Sequence, residues 1–288
     1  MKIVVLLCLA AFMCLALADP PAIDYFRPDQ VLRFADHLYD QGDYLRAAGE
    51  FQRYLFSFDS LPVNTDEVYF RIARCYCRTG AYGRAIDYYQ RVRDLPDSKL
   101  SHEASFQTGF CHYLAGEYDS SWTFLNEHRT EFYECGFRNR FYQLLSVNFM
   151  MKGLWDDARE ALRGPTGPDS FTDELTAFLS EYKHLSRKSP VLAAGYSAVV
   201  PGLGKLYCRR PFDALSSFTS IAILGWQAYD GFHDDGKDSV KGWIFSVVGG
   251  IFYLGNIYGS VVAADLYNEE VELRLVKKIQ VRVNAHFD

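Results

Sequence analysis

The chain has 288 residues, enough for one or two ordinary domains, and carries a net charge of −6 with 20 Tyr and 22 Phe. That balance excludes the basic field that nucleic acid or another polyanion selects, so no nucleic-acid partner is expected. The seven His include no i,i+4 pair and no His/Cys group at zinc spacing, so neither a metal nor any other cofactor is expected. His233-Asp234-Asp235 is the nearest approach to a ligand set, and a solvated acidic loop accounts for it better.

Residues 1–18 read as a secretory signal peptide. Lys2 is the positive start, Ile3 to Leu17 the apolar stretch, and Ala16-Leu17-Ala18 the small-x-small cleavage site before Asp19-Pro20-Pro21. The alternative is an uncleaved anchor. Cys8 and Cys14 lie in this segment without the pattern of a lipoprotein signal. Cys75, Cys77, Cys111, Cys135 and Cys208 remain, an odd set that reads as small buried apolar side chains rather than a disulfide framework. Cys75 and Cys77 stand two apart on an expected helix and face different ways.

From residue 28 a helical pattern repeats. Val31, Leu32, Ala35, Leu38 and Tyr39 form one face, Gly42-Asp43-Tyr44 breaks it, and Leu45, Ala48, Phe51, Tyr54 and Leu55 form a second. The turn glycines are Gly42, Gly80, Gly116 and Gly153, at intervals of 38, 36 and 37 residues. Two residues after each stands an aromatic (Tyr44, Tyr82, Tyr118, Trp155), then a small side chain (Ala47, Ala85, Ser121, Ala158), then a large one (Phe51, Tyr89, Leu125, Leu162). Seven before each glycine is another small residue, at Ala35, Ala73, Gly109 and Ser146. A fixed period of this length signals stacked helical hairpins, because one hairpin cannot bury its own apolar face.

The pattern resembles the tetratricopeptide repeat family over residues 28–163, in four units. Its period exceeds the family's value of about 34, and the surplus is expected in the loops Ser60–Thr65, Lys99–Ser101 and Gly136–Arg138. The resemblance implies a concave groove, lined by the first helix of each unit, that binds a peptide or partner protein. Its positions here are Asp36, Tyr39 and Asp40, then Arg74, Cys77 and Arg78, then Phe106, Phe110 and Tyr113, with Val147 and Met150 last. Such a groove runs from acidic through basic to aromatic, with a peptide carboxylate near Arg74 and Arg78. The competing reading pairs the arginines with Asp36 and Asp40 and covers the aromatic end with the next hairpin or the membrane block.

Gly164 to Ser170 is a breaker, and residues 164–188 supply a linker and a helix carrying Leu175, Phe178, Leu179, Tyr182 and Leu185, expected to cap the array. Residues 189–268 are expected to form a hydrophobic membrane domain with two or three membrane segments, followed by a polar tail, 269–288. Trp243–Ala264 is a run of 22 uncharged residues, long enough to span a bilayer, with Gly255, Gly259 and Ala263 on a small-xxx-small face for helix packing. Phe212–Tyr229 is also long enough. Pro190–Gly204 reads as a short span, a re-entrant element or an interfacial helix. Lys205, Arg209 and Arg210 precede the second segment, Asp230–Ser239 is acidic, and Arg274, Lys277 and Lys278 follow the third. With an exported array, three crossings put both basic clusters in the cytoplasm and two put both outside. The charge order favours three elements, although Arg187 and Lys188 count against them. The alternative for the whole block is an apolar soluble helical domain.

Pro201, Gly202 and Gly204 read as the turn between two membrane elements, since Gly202-Leu203-Gly204-Lys205 lacks the spacing and hydroxyl of a phosphate loop. Pro201-Gly202-Leu203-Gly204 with Tyr207, followed by Gly255-Asn256-Ile257-Tyr258 and Tyr267-Asn268, resembles an uncharacterised bacterial envelope family in which a repeat array precedes a small hydrophobic domain. Cys208-Arg209-Arg210 departs from its pattern. That resemblance implies the bacterial inner membrane, with the array periplasmic, and no activity.

The expected fold is therefore all-α, a tetratricopeptide-like solenoid followed by a small helical membrane domain. The expected function is a membrane-anchored protein–protein interaction scaffold whose partners are a peptide or protein in the groove, the lipid bilayer and another membrane protein. The alternatives are an assembly or insertion factor for envelope proteins and, from another class, a membrane enzyme. No nucleophile–base pair supports the last, so the protein is read as no enzyme.

Overall fold

The computed structural model describes residues 27–57, 62, 64–134, 136–164 and 169–287. The expected signal peptide, part of the Ser60–Thr65 loop, Cys135 and Pro165–Pro168 lie outside the described residues. Among those residues there are fourteen α-helices and no strand. The described residues fall into two compact units, divided between Asn148 and Phe149.

The first unit is built of hairpins. Helices α1 (Pro28–Asp40) and α2 (Tyr44–Phe56) form the first, α3 (Thr65–Arg78) and α4 (Tyr82–Asp94) the second, and α5 (Ser101–Leu114) and α6 (Tyr118–Glu127) the third. Helix α7 (Arg129–Glu134) follows, and α8 (Arg138–Met151) begins the fourth. The repeated positions behave alike because they solve the same problem. Gly42, Gly80 and Gly116 each have φ between +76° and +80°, a left-handed conformation that ends one helix and lets the next start two residues on. Each turn closes with the same pair of bonds, such as Asp43 N–H to Leu38 O at 2.9 Å and Gly42 N–H to Tyr39 O at 3.0 Å. The aromatic after each glycine is the first residue of the second helix. The small residues Ala35, Ala73, Ala47, Ala85 and Ser121 are fully covered, as are Phe51, Tyr89 and Leu125.

The third hairpin departs from alanine at two of these positions without losing the contact. Ser121 sits buried and donates to Gly109 O at 2.8 Å, and Asn148 donates to Ser121 at 2.9 Å. Gly109 leaves room for Leu125, whose Cδ2 would lie 2.9 Å from a Cβ there. The surplus length after this hairpin is not held only in the loop Gly136–Arg138. It forms α7, which buries Phe132 against Phe141 at 5.6 Å between ring centroids.

The second unit contains α9 (Trp155–Leu162), α10 (Ser170–Lys183), α11 (Pro190–Val199), α12 (Leu203–Tyr207), α13 (Pro211–Asp235), a 3₁₀ turn at Gly236–Asp238, and α14 (Val240–Phe287). Gly153, with φ +73°, starts α9 as its counterparts do in the first unit. Helix α10 stacks on α9 through Trp155 and Tyr182, 3.8 Å apart and nearly parallel. It also lies along α14, through Phe171 against His286 and Phe287, Arg282 to Glu174, and Lys278 to Glu181 at 2.8 Å. Residues 269–287 are thus not a free polar tail. They continue α14, with Leu275, Ile279, Val283 and Phe287 buried at every fourth position.

The apolar part is a helical hairpin of α13 against the first half of α14, closed by α11 and α12. Helix α11 has ten residues, about 15 Å of length, and ends at Val200, so it is too short to cross a bilayer of about 30 Å. Helix α13 has 25 residues and is long enough. Only α14, among the described residues, is both long and apolar enough to cross. Ser216, Ser217, Thr219, Ser220 and Gln227 lower the hydropathy of α13.

Three backbones meet closely at the turn between α11 and α12. Gly202 has φ +87°, and a Cβ there would stand 2.2 Å from Ala214 O. A Cβ on Gly204 would stand 2.0 Å from Ala193 O. The turn's polar groups are taken up by α14: Asn256 Oδ1 accepts from Gly202 N–H at 3.2 Å, and its Nδ2 donates to Ser197 O at 3.4 Å. Ser197 and Ser260 hydroxyls lie 2.6 Å apart, and Gly204 N–H donates to Ser197 Oγ at 2.9 Å. Lower on the same helix, Asn268 bonds both the N–H and the C=O of Lys188, at 2.7 and 2.9 Å.

Asn256→Leu is expected to destabilise the protein by about 1–3 kcal/mol for each buried group it leaves unpaired, and Gly202→Ala by about 1–3 kcal/mol through overpacking. Gly255→Ala meets nothing within 4 Å and is expected to be neutral or to stabilise by up to about 1 kcal/mol. Thermal unfolding of the three variants in detergent checks this ordering.

Candidate interaction surface

The first helices of the first unit carry the expected groove residues. Asp36 on α1 and Arg71 on α3 form an ion pair across neighbouring hairpins, and Arg71 also donates to Glu67 at 2.7 Å. Burial pulls the Arg71 guanidinium down, but the hydrogen bonds and charges of Asp36 and Glu67 outweigh it and leave it above its ordinary value. The sequence assigned the cross-hairpin cation to Arg74 or Arg78. Arg71, one turn earlier, takes that role instead. The Arg74 guanidinium lies over the Tyr39 ring at 5.4 Å, and Tyr39 meets Tyr44 edge-on at 5.2 Å. Asp40 and Arg78 are exposed, Tyr39 and Arg74 half-buried.

The aromatic end is closed. Phe106, Phe110 and Tyr113 are 0%, 1% and 4% exposed, so they do not form open groove surface as expected. The Arg140 guanidinium from α8 lies 4.1 Å over Phe106 and is held there by Glu103 at 2.7 Å. Phe110 stacks on Tyr113 at 5.7 Å, and Tyr113 packs on Tyr118 at 5.8 Å. Val147 and Met150 are also fully covered. A loaded helix face, not an open pocket, is what those side chains build.

Two clusters went unread in the sequence. Gln52 donates to Tyr76 and Tyr88 at 3.1 and 2.8 Å, and Arg91 lies over Tyr88 at 4.7 Å. The Cys77 and Cys111 sulfurs stand 3.7 Å apart across two hairpins. Cys75 is fully buried, and burial pushes its thiol up to about 12.

The tetratricopeptide repeat family model matches residues 32–99. This stretch covers the first two hairpins, where the small and aromatic positions follow the repeat most closely. No curated protein matches the chain. Tetratricopeptide repeats suggest a protein–protein interaction scaffold, and repeat proteins of this kind are generally non-enzymatic.

The second unit carries a surface of another kind. Phe212, Leu215, Ile223, Trp226 and Tyr229 on α13 are more than 60% exposed, and so are Val240, Ile251, Leu254 and Tyr258 on α14. Exposed apolar side chains on this scale mark a surface built for a partner or a bilayer. Of the expected packing face, Ala263 is fully buried with Ala193, Ala264 and Cys208. Gly259 faces the Lys205 chain, whose Cε would lie 3.3 Å from a Cβ there. A Cβ on Gly255 would meet nothing within 4 Å. Asn256 and Ser260, on the same stripe, carry the polar contacts that the small-residue pattern did not announce. Pro201 lines an apolar hollow of about 260 Å³ with Leu206, Ala214 and Phe218. Among the described residues no group of three or more His, Cys, Asp or Glu side chains is placed to hold a metal ion.

Because thiolate is the reactive form, Cys75 is expected to resist iodoacetamide in native protein at pH 8 and to react on denaturation. Peptide mass spectrometry checks it, and rapid native labelling would contradict the burial.

Proposed function

We propose that the protein is a membrane-anchored interaction scaffold of the bacterial envelope, with its repeat array exported and its apolar hairpin in the inner membrane. The single observation that carries the scaffold reading is the tetratricopeptide match at residues 32–99, on hairpins whose turns, small residues and large residues repeat in register. The membrane reading is supported by α14, the described helix long and apolar enough to cross, and by the exposed apolar side chains it shares with α13. The envelope reading is supported by the leader-like residues 1–18 and by the resemblance that runs from Pro201 to Asn268.

In this account the domains are a signal peptide at 1–18, four repeats over 28–163, a capping segment at 164–188 and a membrane domain at 189–268. The crossing elements are α13 and α14, while α11 lies at the interface. Both ends of that hairpin then share a side. A long exported domain crosses largely regardless of its charge, so the leader overrides the basic residues Lys205, Arg209 and Arg210 and sets that side as the periplasm. The groove binds a peptide or protein segment through Asp40, Arg74 and Arg78, with Tyr39 beneath the Arg74 guanidinium. Arg71 and Asp36 brace the two hairpins that present it.

Alkaline carbonate extraction is expected to leave the full chain in the membrane pellet, whereas Ile251→Arg with Leu254→Arg releases it. A photo-crosslinker at Asp40 is expected to capture a partner in cells, and Arg74→Glu with Arg78→Glu to reduce that capture by about tenfold or more, the scale of losing one or two charge-assisted bonds. Capture unchanged by the double reversal would remove the groove from the account.

A further inference from the structure

An ionisable group without a carboxylate partner lies against the apolar hairpin. Lys205, on α12, runs beside Gly259 of α14 and donates from Nζ to Ser217 Oγ on α13 at 2.6 Å. Among the described residues no carboxylate lies within ion-pair distance of it. The nearest in sequence, Asp213, is turned to Arg210 at 3.6 Å. Lys205 opens onto a cavity of about 390 Å³ between α12, α13 and α14. Ser216, Ser217 and Ser220 line one side of it, and Ile221, Ile251 and Phe252 another. The Ser217 hydroxyl is tied to Asp213 O at 2.8 Å and so presents its lone pairs to the lysine. No described residue engages the hydroxyls of Ser216 and Ser220. Asn256, also at the wall, is already spent on the α11–α12 turn.

An unpaired amine held against apolar helices that enter a membrane is costly, which makes its position a candidate functional one. Among the described residues this one has no counter-charge, and Ser216 and Ser220, at i and i+4 on α13, bring two further hydroxyls to its cavity. Gly255 lines the α14 side of the space, and a Cβ on Gly259 would press on the Lys205 chain at 3.3 Å. A small cationic corner with several donors suits an anion of many acceptors, and lysine is a common partner of phosphate. The apolar wall suits the hydrocarbon attached to it.

We infer that this cavity binds a phosphate ester, with Lys205, positioned by Ser217, supplying the charge, Ser216 and Ser220 the hydrogen bonds, and Ile221, Ile251 and Phe252 the contact with an attached hydrocarbon chain. The inference rests on the membrane reading for the lipid form of that ligand, whereas a free phosphate needs no bilayer. Binding deepens the proposed role, because a scaffold held by a seated lipid headgroup reads the composition of its membrane.

The test uses the full chain in mild detergent, with binding read by native mass spectrometry and by isothermal titration. The probes are a short-chain phosphatidic acid, the diacylglycerol with the same chains, and inorganic phosphate. Phosphatidic acid is expected to bind, Lys205→Met to weaken it by about tenfold or more, and Lys205→Arg to retain most of it. Ser216→Ala with Ser220→Ala, at partly or fully open positions, is expected to weaken it severalfold without changing thermal unfolding, which keeps the result separate from a folding defect in Lys205→Met. Binding of inorganic phosphate as tight as the lipid phosphate, and dependent on Lys205, assigns the free anion as the source. Diacylglycerol binding equal to phosphatidic acid, or binding of either phosphate that ignores both Lys205→Met and the serine pair, overturns the proposal. Carbonate extraction of the same preparations reports on the membrane reading independently, since the lysine variant is expected to remain in the pellet.

Discussion

The amide side chain of Asn256 is the contact on which the second unit turns. Helix α11 stops at Val199, and the chain reverses through Val200 to Gly202 among apolar neighbours, leaving backbone donors and acceptors without a helix to use them. In such surroundings an unpaired amide costs far more than a hydrogen bond returns in water. Asn256 meets an N–H with its oxygen and a C=O with its nitrogen, and Ser197 and Ser260 complete the set. The close approach this requires explains why glycine stands at 202 and 204, where any side chain would strike backbone carbonyls of α13 and α11. From the fixed turn, Lys205 runs past Gly259 toward Ser217.

The first unit meets its constraint in another way. Its helices bury apolar faces only by stacking hairpin on hairpin, so the cost of a large residue at Ala35, Ala47, Ala73 or Ala85 falls on the helix spacing itself. That leaves the exposed parts of the first helices free to vary, and those parts carry the charges. The pairing of Arg71 with Asp36 and Glu67 fixes neighbouring first helices relative to one another, while Asp40 and Arg78 remain at the surface. In the first unit, the residues that hold the shape are thus separate from the charged ones that face outward.

Much of the array was legible in the sequence because its period is local. A left-handed glycine, an aromatic two residues later and a small residue three further on report a single turn and its two helices, and each of them falls where the spacing puts it. What crosses between elements was not legible. Arg71 and Asp36 are 35 residues apart, and nothing in the period distinguishes Arg71 from Arg74, one helical step away. The covering of Phe106 depends on Arg140 from another hairpin. Helix α7 hid in the surplus between units because six residues are too few to show a period. The second half of α14 did carry a signal, Leu275, Ile279, Val283 and Phe287 at fourfold spacing, but the charges at Asp265, Glu269, Glu270 and Glu272 ended the apolar run and masked the continuing helix. The shortness of α11 was announced by Pro201-Gly202 and outweighed by the order of the charges.

The central claim is that the exposed faces of α13 and α14 sit in lipid, and spin-label accessibility measures it directly. Labels placed singly at Ile223, Ile251 and Lys237 in reconstituted bilayers are compared for collision with oxygen, which concentrates in the hydrocarbon, and with a water-soluble nickel chelate. The account predicts high oxygen and low nickel accessibility at residues 223 and 251, with the reverse at residue 237 in the hairpin turn. High nickel accessibility at all three positions would contradict it.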